Sequence, residues 1–440
     1  MNLLPLWGFL IIILIMVLLM RSKMSPIAAF VIIPTVIAFC AGFSANQIGK
    51  FVKAGLDSTA TMAALFIFSI TFFGIMSDAG MFDKIIGGLA KKAGDNVIAV
   101  AVLTCVIAMC AHLDGSGAAT FLITIPAMLP IYKRLHMRRT SLLLICTAAM
   151  GVMNLLPWGG PTARAAAVIK MDSGALWHIL MPMQIVGLIA ALVVAVIVAL
   201  QEIKRGAGKN TETVQEEAEE QIIEEKSKTD TDSLKRPKLF WFNLVLTLAV
   251  IVVLMFNKFP IYFPFMIGTV IALVVNYPDL KLQNDVFKKH SPAAIMMAAT
   301  ILSAGVMLGV LQKSGMMDAM ATTLVNVIPT SFGPHIAALF GVISAPLVFV
   351  FSTDAYYYGI LPIIVSFAGK YGISATSVAV TMVACRNACE FISPLIPATF
   401  LGCGLAHVEI KDHIKRCFFW QWGISLVMLI AGAIFGIIPL

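Results

Sequence analysis

Four short stretches hold the side chains best suited to chemistry. They are HLDGSGAAT (112–120), NLLPWGGPTAR (154–164), FSTDAYYYG (351–359) and EFISPLIPAT (390–399). Three carry an acid, Asp114, Asp354 and Glu390. Two are broken by Pro and Gly where the flanking residues are apolar enough for lipid. Pro and Gly release backbone N–H and C=O groups from helix bonding. The N-terminus of a half-helix then offers N–H donors and a positive dipole end to an anion, while freed carbonyls and hydroxyls suit a cation. Ser116, Gly117, Asn154, Gly159, Gly160, Thr162, Arg164, Ser352, Thr353, Arg386, Asn387, Ser393 and Thr399 are therefore candidate substrate ligands. Asp114 and Asp354 are candidate metal ligands, and with Glu390 candidate proton carriers. Each has a plainer reading. Asp114 and Asp354 also suit helix N-capping. Arg386 and Glu390, four apart on one helix, suit an internal salt bridge. Arg164 either snorkels or clamps a carboxylate. Trp158 is a packing aromatic or a pocket wall, His112 reads as a hydrogen-bonded core residue, and Tyr356, Tyr357 and Tyr358 cannot all face one site.

Such breaks need a setting. Of 440 residues, 60% are hydrophobic and 12% charged, against about a quarter charged in a soluble domain. Apolar segments fall near 3–20, 24–42, 59–77, 96–113, 117–132, 141–158, 176–201, 240–256, 261–276, 293–311, 334–351, 355–369, 374–392 and 416–438. The chain reads as an all-α polytopic membrane protein. Non-helical backbone at membrane depth survives only where it is buried in protein or lines a wet cavity, so the breaks mark a site. The net charge of +8 is explained by cytoplasmic loops and calls for no nucleic acid. Eight scattered cysteines form no CxxC pair, and Cys385 with Cys389 reads as a pair of core neighbours. Residues 3–20 read as a retained helix because Arg21 and Lys23 follow the apolar run. No zinc motif, nucleotide loop or nucleophile–base pair points to an enzyme, and midplane breaks in place of a polar stripe argue against a channel.

The four stretches are related in pairs. GIMSDAGMFDKI (74–85) matches GVLQKSGMMDAM (309–320), LPWGGPT (156–162) matches SPLIPAT (393–399), and Gln184 falls on Gln421, at offsets of 235 to 237. Duplication is the simplest cause. Residues 1–201 and 239–440 are then two repeats joined by a charged linker, 202–238, which reads as flexible and cytoplasmic. Taking 96–132 and 334–369 as re-entrant hairpins leaves five spans per repeat. An odd count inverts the second copy. With both termini outside, the basic clusters at Arg21/Lys23, Lys84/Lys91/Lys92, Lys133/Arg134/Arg138/Arg139, Lys281/Lys288/Lys289 and Lys411/Lys415/Arg416 all fall inside.

The stretches GIMSDAGMFD (74–83), LDGSGAATFLITIPAMLPIY (113–132), MGVMNLLPWGGPTARAA (150–166), DAYYYGILPI (354–363) and SPLIPATFLGCGLAHV (393–408) resemble the CitMHS family of bacterial citrate–divalent metal/proton symporters. The resemblance implies two inverted repeats, a homodimer, elevator-like movement in the inner membrane, and citrate carried as a Mg2+ or Ca2+ complex with protons. No permanently bound cofactor is implied. Two departures are notable. Ser116 stands where the family often has a second acid, and Arg386 to Glu390 replaces an uncharged Gln-Pro stretch. An alternative on the same fold is an Na+- or H+-coupled carrier of di- or tricarboxylates or hydroxy acids without obligatory metal.

Overall fold

A computed structural model describes all residues except 1–2, 22, 83, 86–93, 95, 209–231, 257, 328–331 and 440. Most of the linker, Lys91 and Lys92 therefore lie outside the described residues.

The described chain is helical, without a strand. In the first half α1 (Leu4–Met20), α2 (Pro26–Cys40) and α3 (Ala45–Asp78) lead to a hairpin of α4 (Val97–Ala111) and α5 (Gly117–Arg134). Next come α6 (Arg139–Met153), a break, α7 (Gly160–Ile169) and α8 (Ser173–Lys204). The second half follows the same order: α9 (Phe240–Met255), α10 (Tyr262–Asn276), α11 (Leu280–Lys313), α12 (Met316–Val327), the hairpin arms α13 (Ile336–Ile343) and α14 (Leu361–Gly369), then α15 (Ala375–Asn387), a break, α16 (Pro397–Leu405) and α17 (Ile410–Ile434). The starts of α1/α9, α2/α10, α3/α11, α6/α15, α7/α16 and α8/α17 are separated by 235 to 237 residues.

Among the described residues six helices are long and apolar enough to cross a membrane, or seven if the bent pair α15–α16 is one span. The remaining apolar helices are shorter. At 1.5 Å per residue, 15 residues cover roughly 22 Å, less than the ~30 Å hydrocarbon core.

Two elements run longer than their apolar stretches. α3 and α11 each have 34 residues, whereas hydropathy marks only 59–77 and 293–311. The extra turns are amphipathic, and α3 begins at a capping box in which Ser44 and Gln47 exchange hydrogen bonds. α8 continues to Lys204, inside the segment read as linker, because Glu202 is fully buried there. Its carboxylate accepts from Arg138 Nε at 2.6 Å and Ser141 Oγ at 2.7 Å.

α3 and α11 pack backbone to backbone. A Cβ added to Gly55 would collide with the Gly305 carbonyl and the Gly309 Cα, while Gly74 lies against the His290 ring. Numbers rise along α3 as they fall along α11, so the helices are antiparallel. At the offset of 235, Gly74 corresponds to Gly309 and Gly55 to His290. The two contacts are thus one contact made twice, as across a twofold axis. At one end of this seam Asp78 accepts from Lys289 Nζ at 2.7 Å and pairs with His290 Nε2 at 2.9 Å.

Both equivalent glutamines anchor on α6. Gln184 Nε2 donates to the Val152 carbonyl at 3.1 Å, and Gln421 Nε2 to Thr147 Oγ1 at 2.6 Å.

Candidate functional site

The four stretches converge, and they do so crosswise. Hairpin arm α5 packs on α16 of the other half: Gly117 faces Phe391 and Ala398, and Gly402 faces Phe121. The second hairpin packs in turn on α7 of the first half.

In the first hairpin, α4 ends in a 3-10 turn over His112–Asp114, and Gly115 takes a left-handed conformation with φ 71°. That reversal suits glycine, which carries no Cβ to clash. Asp114 Oδ1 accepts the Ser116 N–H at 2.7 Å. Ser116 caps α5 by accepting from the Ala119 N–H at 3.2 Å. Ser352 plays the equivalent part in the second hairpin, accepting from the Ala355 N–H at 3.3 Å. Asp114 is half-buried and forms no ion pair among the described residues. His112 is buried and its Nδ1 lies 2.8 Å from Thr120 Oγ1.

The first break folds on itself between Asn154 and Gly159. Thr162 Oγ1 donates to the Leu155 carbonyl at 2.9 Å, and Ser173 Oγ to the Pro157 carbonyl at 2.8 Å. Gly159 caps α7 and Gly160 opens it, with Arg164 one turn on. A Cβ on Gly160 would sit 2.6 Å from Arg164 Nη1, so the bare backbone lets the guanidinium lie along the helix start. Trp158 is a packing residue: its ring lies against Phe73 and Phe265, and Nε1 donates to the Leu113 carbonyl at 2.8 Å. Its outer side helps line an apolar crevice of about 330 Å³ between α8 and α9.

Arg164 Nε donates to Asp354 Oδ1 at 2.7 Å, joining α7 to the second hairpin. Both side chains are mostly buried, at 8% and 17% exposed. Asp354 precedes a π-helical stretch, Ala355–Ile360, in which Tyr356, Tyr357 and Tyr358 are all fully buried. π-bulges occur often at functional sites.

The second break is held by an ion pair. Arg386 and Glu390 form a close contact, and the other Glu390 oxygen accepts from Thr353 Oγ1. Arg386 Nη2 donates to the Phe351 carbonyl at 3.2 Å, and its guanidinium lies 5.0 Å from the Tyr356 ring centroid. Ser393 Oγ donates to the Val348 carbonyl at 2.6 Å. Thr399 is buried with no hydrogen-bond partner for Oγ1. The breaks meet where Asn154 Nδ2 donates to Asn387 Oδ1 at 3.2 Å. Beside that bond a Cβ on Gly151 would lie 2.8 Å from the Ala388 carbonyl oxygen.

In this arrangement the hydroxyls of Ser116, Thr162, Ser352 and Ser393 are committed to backbone groups of the turns themselves. Of the two ion pairs, Arg164–Asp354 joins the halves and Arg386–Glu390 lies within the second. Among the described residues no group of three or more His, Cys, Asp or Glu could hold a metal ion. A divalent cation here would have to take most of its oxygens from backbone, water and its own counter-anion, a pattern familiar for Mg2+. His112 is the hydrogen-bonded core residue that the sequence suggests, whereas nothing in the sequence pairs Asp78 with Lys289 and His290. The scarcity of acids in apolar segments was the signal available for Asp78.

Comparison with known proteins bears on what this site carries. A family profile described as CitMHS, citrate transporter, matches residues 3–385. Over 433 residues the chain is 37% identical to a protein of Bacillus subtilis (strain 168) named "Citrate transporter", covering 98% of each. It is 35% identical, again over 98% of each, to one from the same organism named "Mg(2+)/citrate complex secondary transporter". Among solved structures, the Alcanivorax borkumensis YdaH transporter is similar in fold, with TM-score 0.57 and 14% identity, over 89% of this chain and 87% of that one.

Proposed function

The chain belongs to the CitMHS citrate transporter family, and from that premise we propose that it is a secondary active symporter taking up citrate as a divalent-metal complex together with protons. It is a multi-pass membrane transporter and not an enzyme. Citrate carries three carboxylates. Removing them bare from water would cost many kcal/mol, and a bound Mg2+ or Ca2+ cancels two of the charges beforehand. The observation that carries this reading is the Arg164–Asp354 pair, which holds opposite charges 2.7 Å apart beside the breaks. A site lined with both signs suits a cargo that is itself a cation–anion pair. Helix ends, amides and Arg164 meet the carboxylates, and acids meet the cation.

The movement proposed is elevator-like, between inverted repeats 1–201 and 239–440 with 202–238 on the cytoplasmic side of the inner membrane, both termini outside, and the protein a homodimer. The constant offset of helix starts and the antiparallel α3–α11 seam support the inversion. Uptake of labelled citrate into proteoliposomes, across a panel of divalent ions and with the pH gradient varied, tests the reading. Uptake should require a divalent ion and collapse when the pH gradient is abolished. Metal-independent uptake driven by Na+ would replace it with the alternative carrier.

A further inference from the structure

The binding role given to Asp114 and Asp354 by sequence is symmetric, but their surroundings are not. Asp354 is spoken for by Arg164 Nε, and Glu390 by Arg386 and Thr353. Asp114 has only the Ser116 N–H on one oxygen and no basic partner among the described residues. It is the one acid of the site whose charge no side chain balances.

The unmet hydrogen-bonding groups sort the same way. Around the second hairpin and break, the buried atoms without a partner are Tyr357 and Tyr358 hydroxyls, Arg386 Nε, Asn387 Nδ2 and Thr399 Oγ1. Every one of them can donate. On the first hairpin the unmet atoms are His112 Nε2 and Thr124 Oγ1. Thr120 Oγ1 gives its hydrogen to the Ser116 carbonyl at 2.8 Å, so it accepts from His112 Nδ1, and Nε2 is left as an acceptor. Buried groups left unmet are costly, and the donor-only atoms among them, Arg386 Nε and Asn387 Nδ2, mark where an acceptor belongs. Arg164 adds to the donor side. Its Nε is used by Asp354, while Nη2 finds only the Met297 sulfur at 3.9 Å, a weak acceptor. The fork of the guanidinium is therefore aimed by Asp354 and left open for a carboxylate.

We propose that the two halves divide the cargo: Asp114 takes the cation, and the second hairpin and break, with Arg164, take the carboxylates. Asp354 is then a positioning residue for Arg164 and not a metal ligand. This rests on the transport reading above and corrects its symmetric use of the two acids.

The test compares Asp114→Asn, Asp114→Glu and Asp354→Asn in proteoliposomes, measuring labelled citrate uptake with Mg2+, Ca2+, Mn2+ and Ni2+. Asp114→Asn should lower uptake of every complex at least tenfold. Asp114→Glu keeps the charge but moves it, and should reorder the ions. Asp354→Asn should raise KM about tenfold for all ions alike and leave their ranking as it was. Melting of each purified variant with and without Mg2+–citrate separates lost binding from lost fold. A reordered ion ranking in Asp354→Asn, or an unchanged one in Asp114→Glu with uptake intact in Asp114→Asn, overturns the division. Failure of the transport reading is visible without any variant, as metal-independent uptake by the unaltered protein.

Discussion

Asn154 Nδ2 donates to Asn387 Oδ1 at 3.2 Å, so the first helix break is tied by a side chain to the second. Both residues are buried, at 6% and 0% exposed. Neither break can open without its counterpart losing a partner.

A double-mutant cycle measures that tie. Interhelical hydrogen bonds in membranes average about 0.6 kcal/mol and reach ~1.7. Asn154→Ala and Asn387→Ala should each lower the melting temperature of the purified protein, and the pair together should cost less than the sum by about that amount. Strict additivity would mean the breaks are energetically independent.

Arg164→Lys tests the carboxylate contact proposed for its guanidinium. Lysine keeps the charge but is a point donor without the planar fork. KM for citrate should rise about tenfold, close to 1.4 kcal/mol, with kcat much less affected. An unchanged KM would place the guanidinium outside the carboxylate contact.

The α3–α11 seam predicts which glycines are indispensable. Gly55→Leu and Gly309→Leu thrust side chains into opposing backbone, where nothing flexible can yield. Overpacking costs ~1–3 kcal/mol even in cores that adapt, so both should abolish folded protein in detergent. Gly49→Leu on the same helix has no neighbour within 4 Å and should behave as the unaltered chain. Equal tolerance at all three positions, read by size-exclusion chromatography, would contradict the seam.

Orientation can be read from one thiol. Cys40 is exposed, whereas Cys105, Cys146, Cys385, Cys389, Cys403 and Cys417 are buried. With the N-terminus outside, the end of α2 returns to the outer face. A membrane-impermeant maleimide added to intact cells should label Cys40, with Cys40→Ser as the blank. Labelling that waits for permeabilised cells would reverse the assignment.

Composition and periodicity located the site more readily than they described it. Pro157, Gly159, Gly160 and Pro394 sit where lipid-grade sequence is interrupted, and the structure breaks its helices there because those residues cannot sustain the ladder. Asp114 and Asp354 were legible for a related reason, being acids at membrane depth. Their different surroundings were not, since Arg164 reaches Asp354 across 190 residues of chain. The helix α12 escaped notice. Its sequence, MMDAMATTLVNV, mixes apolar and polar residues in a way hydropathy does not flag. Periodicity implies that three successive tyrosines diverge; the π-helical stretch at Ala355–Ile360 sits among helices on several sides, so every ring finds protein to pack against, which the sequence alone does not show. Glu202 illustrates the converse. Its sequence neighbours are polar, yet Arg138 and Ser141 draw it inward.

The end of α3 has a consequence of its own. Were the halves perfect copies, the seam would be a palindrome with the same contacts at both ends. His290 stands where the copy of Gly55 would be and, with Lys289, grips Asp78, whereas at the far end Gly55 packs on the Gly305 and Gly309 backbone. One end is lashed and the other is not. Parting the two helices therefore means undoing an ion pair at the one end and only close packing at the other.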